Sequence, residues 1–315
     1  MTTLIRNTPA MPPITGRNPL AMRRVYASAE RGALLGFVVN ILLAAGKLTA
    51  GILAGSFVLI ADAVNSLGDV LASTVVLGSL RFAQRPPDAG HPYGHTRIEA
   101  VAGAMVSMLI LVSAGIIAWE AIQRIGRFHD VPPSWTLWVA GTTVVTKEVL
   151  YRYNWRLGKE TGSQAIRANA WDHRADALSA LAVMVGLALV RFGGDSWRSA
   201  DEIAALVVVV LILTGGVRLL LGSAHELMDA QAEPDFVGRI RRMVLTVPGA
   251  DGVEKLFVRK SGLEYLVDLH LEVDPAMTVE SGHRVSHAVK DHLMAECAEI
   301  REVLIHLEPA RTHRG

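Results

Sequence analysis

Two pairs of oxygen-bearing side chains carry the strongest chemical signal in the sequence. In IADAVNSLGD, Asn65 and Asp69 are spaced i,i+4; in NAWDHRADAL, Asp172 and Asp176 repeat that spacing. Each pair falls on one face of a helix. Both stretches lie in otherwise apolar segments, where a carboxylate is costly and marks an ion path or a partner charge. Carboxylate and amide oxygens suit a hard or borderline divalent cation. Four of them from two facing helices make a tetrahedral set without any loop. An isolated aspartate would as readily cap a helix, or pair with His173, Arg174 or a lysine such as Lys47. The matched duplication favours a metal site. Asp62, three residues before Asn65 on a neighbouring face, is a candidate for supporting the ligands or for helix packing.

A second constellation is Asp88-x-x-His91-x-x-x-His95 in PPDAGHPYGHTRIEA. Two imidazoles and a carboxylate are reasonable zinc ligands. The alternative is a polar loop whose turn, His91 to Gly94, fixes the entry to the next helix.

The elements that must position these groups look membrane-embedded. The chain has 315 residues, 51% hydrophobic, with formal net charge +1 and mean hydropathy +0.33. Apolar runs at Leu34–Leu53, Phe57–Phe82, Ala100–Ile122, Trp135–Tyr151, Ala177–Val190 and Ile203–Leu221 each approach the roughly 20 residues that cross a bilayer. The fifth does so only if it extends back through Asp172 and Asp176, which places those carboxylates at membrane depth. Ala54–Ser56 makes a tight antiparallel connection. Arg23, Arg24, Arg31, Arg81, Arg85, Arg97, Arg152, Arg156, Lys159 and Arg167 flank one side of the spans. Only Arg124, Arg127, Arg191 and Arg198 flank the other. The positive-inside rule therefore predicts cytoplasmic termini for a multi-pass protein of the cell (inner) membrane. Residues 1–29 lack a compact apolar core with a cleavage site, so a cytoplasmic tail is expected there rather than a signal peptide.

The texture changes after Leu221. Glu233–Leu245 reads as an amphipathic helix, Val253–Arg259 and Tyr265–Val273 as strands around a Ser261–Gly262 turn, Val279–Met294 as a helix and Val303–Leu307 as a last strand. The expected fold is an all-α six-helix transmembrane domain (30–223), then a small cytoplasmic α+β domain of order α-β-β-α-β (224–310) and a short tail (311–315). The single cysteine, Cys297, excludes an internal disulfide and a cysteine-cluster zinc site. The near-neutral charge and the lack of a basic, aromatic-interleaved tract give no case for nucleic acid.

GSFVLIADAVNSLGD, PPDAGHPYGHTRIEA and ANAWDHRADALSAL together resemble the cation diffusion facilitator family of metal efflux transporters, and the resemblance covers nearly the whole chain after the N-terminal tail. It implies a homodimer with a metallochaperone-like C-terminal domain and exchange of a divalent transition metal for protons. The transport site would fall on Asn65, Asp69, Asp172 and Asp176. Zinc-preferring relatives usually carry a histidine at one or more of these positions, most often where Asp172 stands. The oxygen-only set here resembles the manganese-exporting branch. Mn²⁺ is therefore the first expectation, with Fe²⁺, Zn²⁺ and Co²⁺ as alternatives. Asp88, His91 and His95 match a loop metal site of some zinc-transporting relatives. His270, His283, His306 and Glu308 map onto regulatory ligands at the dimer interface, although Glu254 stands where a further histidine would be expected. His287 and His292 read as helix-surface residues.

A proton-coupled transporter is thus expected, because metal binding must displace the protons that its ligands carry, and returning protons help expel the metal. A membrane metallohydrolase would show His-Glu-x-x-His, and an ATP-driven pump a Gly-rich Walker loop; neither is present. The chain is not expected to be an enzyme. The alternative is a membrane-anchored metal sensor that reads ions through its C-terminal domain. Acidic pairs within the spans are needless for an anchor.

Overall fold

A computed structural model describes residues 19–53, 57–124, 136–193 and 200–310. The side chains of some residues within these helices, Asp62 and Asn65 among them, lie outside the described set. The chain divides into two compact units. One comprises Met1–Ala27, Ala83–Arg97 and His225–Gly315; the other comprises Ser28–Phe82 and Ile98–Ala224.

The second unit is built mostly from long helices, α1 (Pro19–Leu53), α2 (Phe57–Ala83), α3 (Ile98–Arg124), α4 (Thr136–Thr161), α5 (Gln164–Gly193) and α6 (Ala200–Leu227), although the start of α1 and the ends of α2 and α6 fall in the first. Among the described residues, four segments are long and apolar enough to cross a bilayer: Ala21–Thr49, Ser66–Ala83, Ile98–Trp119 and Val209–Leu227. These belong to α1, α2, α3 and α6. The apolar stretch of α4 carries Lys147 and Glu148, and α5 carries Asp172, Arg174 and Asp176. Large apolar side chains such as Leu42, Leu71, Val112 and Val210 point outward. Buried positions are instead often small or polar, including Ala72, Ser73, Ala168, Asn169 and Ala170. That inversion is the packing expected where lipid surrounds helices that approach closely through small residues.

In the first unit, α7 (Pro234–Val244) precedes β1 (Gly252–Ser261), β2 (Glu264–Val273), α8 (Val279–Glu296) and β3 (Ile300–Pro309). The strands form one sheet in the order β1-β2-β3. The first pair is antiparallel and the second parallel. Thr278 caps α8 by accepting a hydrogen bond from the Ser281 amide. A two-residue loop joins β1 to β2, with Gly262 at φ +64. That left-handed conformation suits glycine in a tight hairpin. A single core forms where Ile240 and Val244 of α7 and Val289, Leu293 and Met294 of α8 cover Val258, Val267, Leu269 and Val303 of the sheet. Strand alternation leaves the other face of the sheet open.

Candidate metal centre

The α4–α5 hairpin sets the geometry. Gly162, at φ +72, ends α4, and Ser163 caps α5 by accepting from the Ile166 amide at 3.0 Å. The buried carboxylate of Glu99, on α3, accepts from the Ser163 hydroxyl and from the Ala165 amide. A carboxyl group thus meets the first amides and positive dipole end of α5. Asp172 lies nine residues beyond Ser163, about 13 Å further along the helix at 1.5 Å per residue. Trp171, next to it, packs closely against α6 at Gly215, where a Cβ atom would lie 2.0 Å from the indole. Only glycine admits that approach.

A polar seam then draws four helices together. Asn40 of α1 donates to the Asp69 carbonyl at 3.3 Å and to the Ser73 hydroxyl at 3.0 Å, both on α2. Ser73 in turn donates to the Asn169 side chain of α5 at 3.4 Å. At the centre, the Lys147 ammonium of α4 lies 2.6 Å from Asp69 Oδ2 and 2.7 Å from Asp176 Oδ2. It also donates to Asn40 Oδ1 at 3.1 Å. Its side chain is 2% exposed. The ammonium thus donates hydrogen bonds to Asp69 and Asn40 and pairs by charge with Asp176. Two of the sequence-predicted ligands, from α2 and α5, thus converge on one cation.

Asp172 joins this centre without touching the ammonium. Its Oδ2 is buried and has no hydrogen-bond partner among the described residues. Donor atoms of Asp172, His173 and Asp176 lie within 4.8 Å of one another. His173 is fully buried, its Nε2 3.5 Å from the Asn169 amide. No imidazole stands at the four sequence-predicted positions, yet His173 lies beside Asp172 and Asp176. The side chains of Asn65 and Asp62 fall outside the described residues. Of the other partners considered for the aspartates, Lys47 donates to Ser66 at 3.1 Å and Arg174 pairs with Glu148.

In the loop, the Asp88 carboxylate accepts from the Gly90 and His91 amides at 2.9 and 2.7 Å, forming a turn. His91 Nδ1 lies 3.3 Å from Asp88 Oδ1, and His95 Nε2 lies 3.2 Å from Asp88 Oδ2. The loop carboxylate thus builds the turn and joins both imidazoles. The His91 amide bond, first among the causes, holds the Asp88 carboxyl below its ordinary value.

In the sheet, parallel pairing places His270 of β2 directly opposite His306 of β3, with ring centroids 5.0 Å apart. Glu308, two residues on, shares their face. Its Oε1 lies 3.2 Å from both His270 Nδ1 and His306 Nε2. Glu254, the residue in place of an expected histidine, approaches His270 Nδ1 at 3.8 Å. His283 does not join this group within the chain. It sits on α8, across the sheet, its ring 4.5 Å from that of His287. These two line a shallow pocket with Ser286, Lys290, Val303 and Ile305. His292 Nε2 lies 3.3 Å from the Thr246 hydroxyl.

Sequence reasoning passed over Lys147, Asn40 and Asn169. Lys147 had a usable signal, since the rule that singles out intramembrane carboxylates applies equally to a lone lysine in an apolar run.

The cation efflux transmembrane domain model matches residues 33–228, and the model of the cation efflux protein cytoplasmic domain matches residues 232–310. The chain belongs to the cation efflux (cation diffusion facilitator) family. Its relatives include the manganese efflux system protein MneP of Bacillus subtilis strain 168, 31% identical over 285 residues, spanning 89% of this chain and 96% of the relative. The magnetosome protein MamB of Paramagnetospirillum magneticum is 31% identical over 275 residues, spanning 87% and 92%. Metal tolerance protein 2 of Oryza sativa is 32% identical over 309 residues, spanning 89% and 78%. Among solved structures, a MamM CTD in a cadmium form is 27% identical, covering 25% of this chain and 98% of its own, with TM-score 0.24. As a member of this family the chain is a metal-cation efflux transporter and not an enzyme.

Proposed function

We propose that this cation efflux protein exports a divalent transition metal from the cytoplasm by alternating access, in exchange for protons. Asn65, Asp69, Asp172 and Asp176 are its transport ligands. The observation that carries the reading is the convergence of Asp69 and Asp176, from two helices, on a single positive charge within 2.7 Å. A centre that holds an ammonium between carboxylates has the charge and oxygen donors for a metal ion.

Mn²⁺ is the first choice, with Fe²⁺, Zn²⁺ and Co²⁺ also accepted. The oxygen-rich donor set favours the harder ion, and MneP is described as a manganese efflux protein. His173, beside the ligands, supports a margin for softer ions. The six long helices are read as six spans, with α4 and α5 shielding their charges against one another. Both termini face the cytoplasm, in the cell membrane.

The C-terminal domain is read as a homodimerisation and regulatory unit. Phe257 of β1 and Leu304 of β3 both pair with Asp268 on the open face of the sheet and are 54% and 66% exposed, which suits a partner copy. His270, His306 and Glu308 on the same face, with His283 as a further candidate ligand, offer a regulatory metal site. The Asp88, His91 and His95 cluster offers a further one.

The test is uptake of Mn²⁺, Fe²⁺, Zn²⁺ and Co²⁺ into proteoliposomes, with internal pH followed at the same time. The parent should move Mn²⁺ and protons in opposite directions, and Asp172→His should gain zinc transport relative to manganese. Proton-coupled metal flux that survives in the Asp69→Asn, Asp172→Asn, Asp176→Asn triple variant would overturn the assignment of the site.

A further inference from the structure

The Lys147 ammonium occupies the space between the two carboxylates that a transported ion must reach. It is 2.6 Å from Asp69 and 2.7 Å from Asp176. A metal bound to the same oxygens needs metal–oxygen distances of about 2.0–2.6 Å, so ion and ammonium cannot share them. Lysine is a compact point charge on a flexible stem. Asn40 Oδ1, at 3.1 Å and outside the acidic pair, already accepts from the same Nζ. Asp172 is left out of these ion pairs among the described residues, while its Oδ2, like Asp176 Oδ2, is buried without a hydrogen bond there.

Resting on the transport-site reading above, we infer that Lys147 is a tethered counter-cation: it holds Asp69 and Asp176 together when no metal is bound, and an incoming divalent ion must displace it. Asp172 is the first point of contact for that ion, because its carboxylate is the one that the ammonium does not engage. The metal then takes Asp176 and Asp69 while Nζ pivots toward Asn40. On release the ammonium returns, so the emptied site is never left as an unpaired acidic cluster. Lys147 therefore weakens metal binding and hastens unloading. These are opposite in sign to the effects of a residue that merely holds the fold together.

The experiment measures metal affinity and unloading on the purified full-length protein. Mn²⁺ binding is titrated for the parent, Lys147→Gln, Lys147→Arg and Asp172→Asn. Efflux of trapped Mn²⁺ is timed in proteoliposomes. If the ammonium occupies the pair about nine-tenths of the time, its removal tightens the apparent Kd about tenfold, because only the unoccupied fraction accepts the ion. Lys147→Gln should show that tightening together with slower unloading, and Lys147→Arg, which keeps the charge, a smaller shift. Weaker or unchanged binding in a monodisperse Lys147→Gln protein overturns the inference.

Should that variant fail to fold, for want of a charge between two buried carboxylates, the parent itself decides. Reductive methylation with mass-spectrometric readout should find Lys147 protected without metal and several-fold more reactive at saturating Mn²⁺. Equal reactivity in both states overturns the inference. Asp172→Asn separates the two levels: parent-like Mn²⁺ affinity in that variant sinks the transport site itself, whereas lost affinity there with an unmoved Lys147→Gln sinks only the role of the lysine.

Discussion

The Glu99 carboxylate, on α3, accepts hydrogen bonds from the Ser163 hydroxyl and the Ala165 amide, and so caps the helix that carries Asp172 and Asp176. Glu99 is fully buried. The start of α5, and with it the position of two of the proposed transport ligands, is thereby pinned by a residue far away in the chain.

Substituting this cap should disturb the site as well as the stability. Glu99→Gln keeps an acceptor but loses the charge at the helix end, and should cost about 1–2 kcal/mol. Thermal unfolding of the detergent-purified protein should show a lowered midpoint. Mn²⁺ affinity should fall with it, since α5 is no longer anchored. An unchanged midpoint and affinity would show that Ser163 suffices alone.

Gly262 predicts a second loss of stability. Its φ of +64 strains any residue with a Cβ, and the added atom would lie 2.5 Å from the Thr96 carbonyl oxygen. The left-handed conformation alone costs roughly 1–2 kcal/mol. Gly262→Ala should therefore destabilise by at least that much, read as a lower unfolding midpoint in the full-length protein.

Cys297 gives a pH-dependent prediction in a chain with no other thiol. It is 3% exposed, with Met243 sulfur 3.9 Å away, and burial pushes the thiol above its ordinary 9.0. The folded state thus keeps the proton longer than the unfolded chain does. The resulting stability is full below the unfolded value and is lost as pH rises through the folded one. Alkylation by iodoacetamide at pH 8 should be slower than in a denatured control by about tenfold, since the thiolate is the nucleophile. Equal rates would show that the thiol is open to solvent.

Asp88 behaves in the opposite direction. Its carboxyl is held below 3.8, first by the His91 amide, so the order that it lends the turn is present above that value. This order is lost as pH falls through the lower, folded value. After an acid pulse near pH 3, close to the ordinary carboxylate range, hydrogen exchange in the loop at Gly90 and His91 should rise above that after a pulse at pH 5, once corrected for intrinsic rates. Asp88→Ala should show the raised exchange at neutral pH.

On the open face of the sheet, Phe257→Asp and Leu304→Asp should each weaken self-association. A charge buried at an apolar contact commonly shifts the dimer equilibrium tenfold or more, about 1.4 kcal/mol. Light scattering of the purified protein during dilution would detect it. An unaltered mass across the dilution would place the dimer contact elsewhere.

What the sequence made legible was whatever repeats locally. The i,i+4 spacing exposed the acidic pairs, and alternation exposed β1 and β2 near their observed limits. The glycine turn between those strands was equally readable. Lys147 escaped because a lone lysine has no spacing partner, and its significance depends on how α4 meets α2 and α5. The mutual approach of His270 and His306 depended on which strands pair and in what register, which no single strand encodes. The position of His283 across the sheet was hidden for the same reason. A lysine did pair directly with the aspartates, from α4, and Lys47 donates to Ser66. The effect that won in each case was long-range packing, which local periodicity does not report.

Parallel pairing of β2 with β3 has a further consequence for heredity. His270 faces His306 only while the two strands keep even parity, because neighbouring residues alternate between the helix-covered and open faces. Loss or gain of one residue between α8 and β3 would present Leu307 to solvent and turn both His306 and Glu308 inward beneath α8. The lineage can therefore change the side chains of this face one at a time, but it can change the length of that connection only in steps of two.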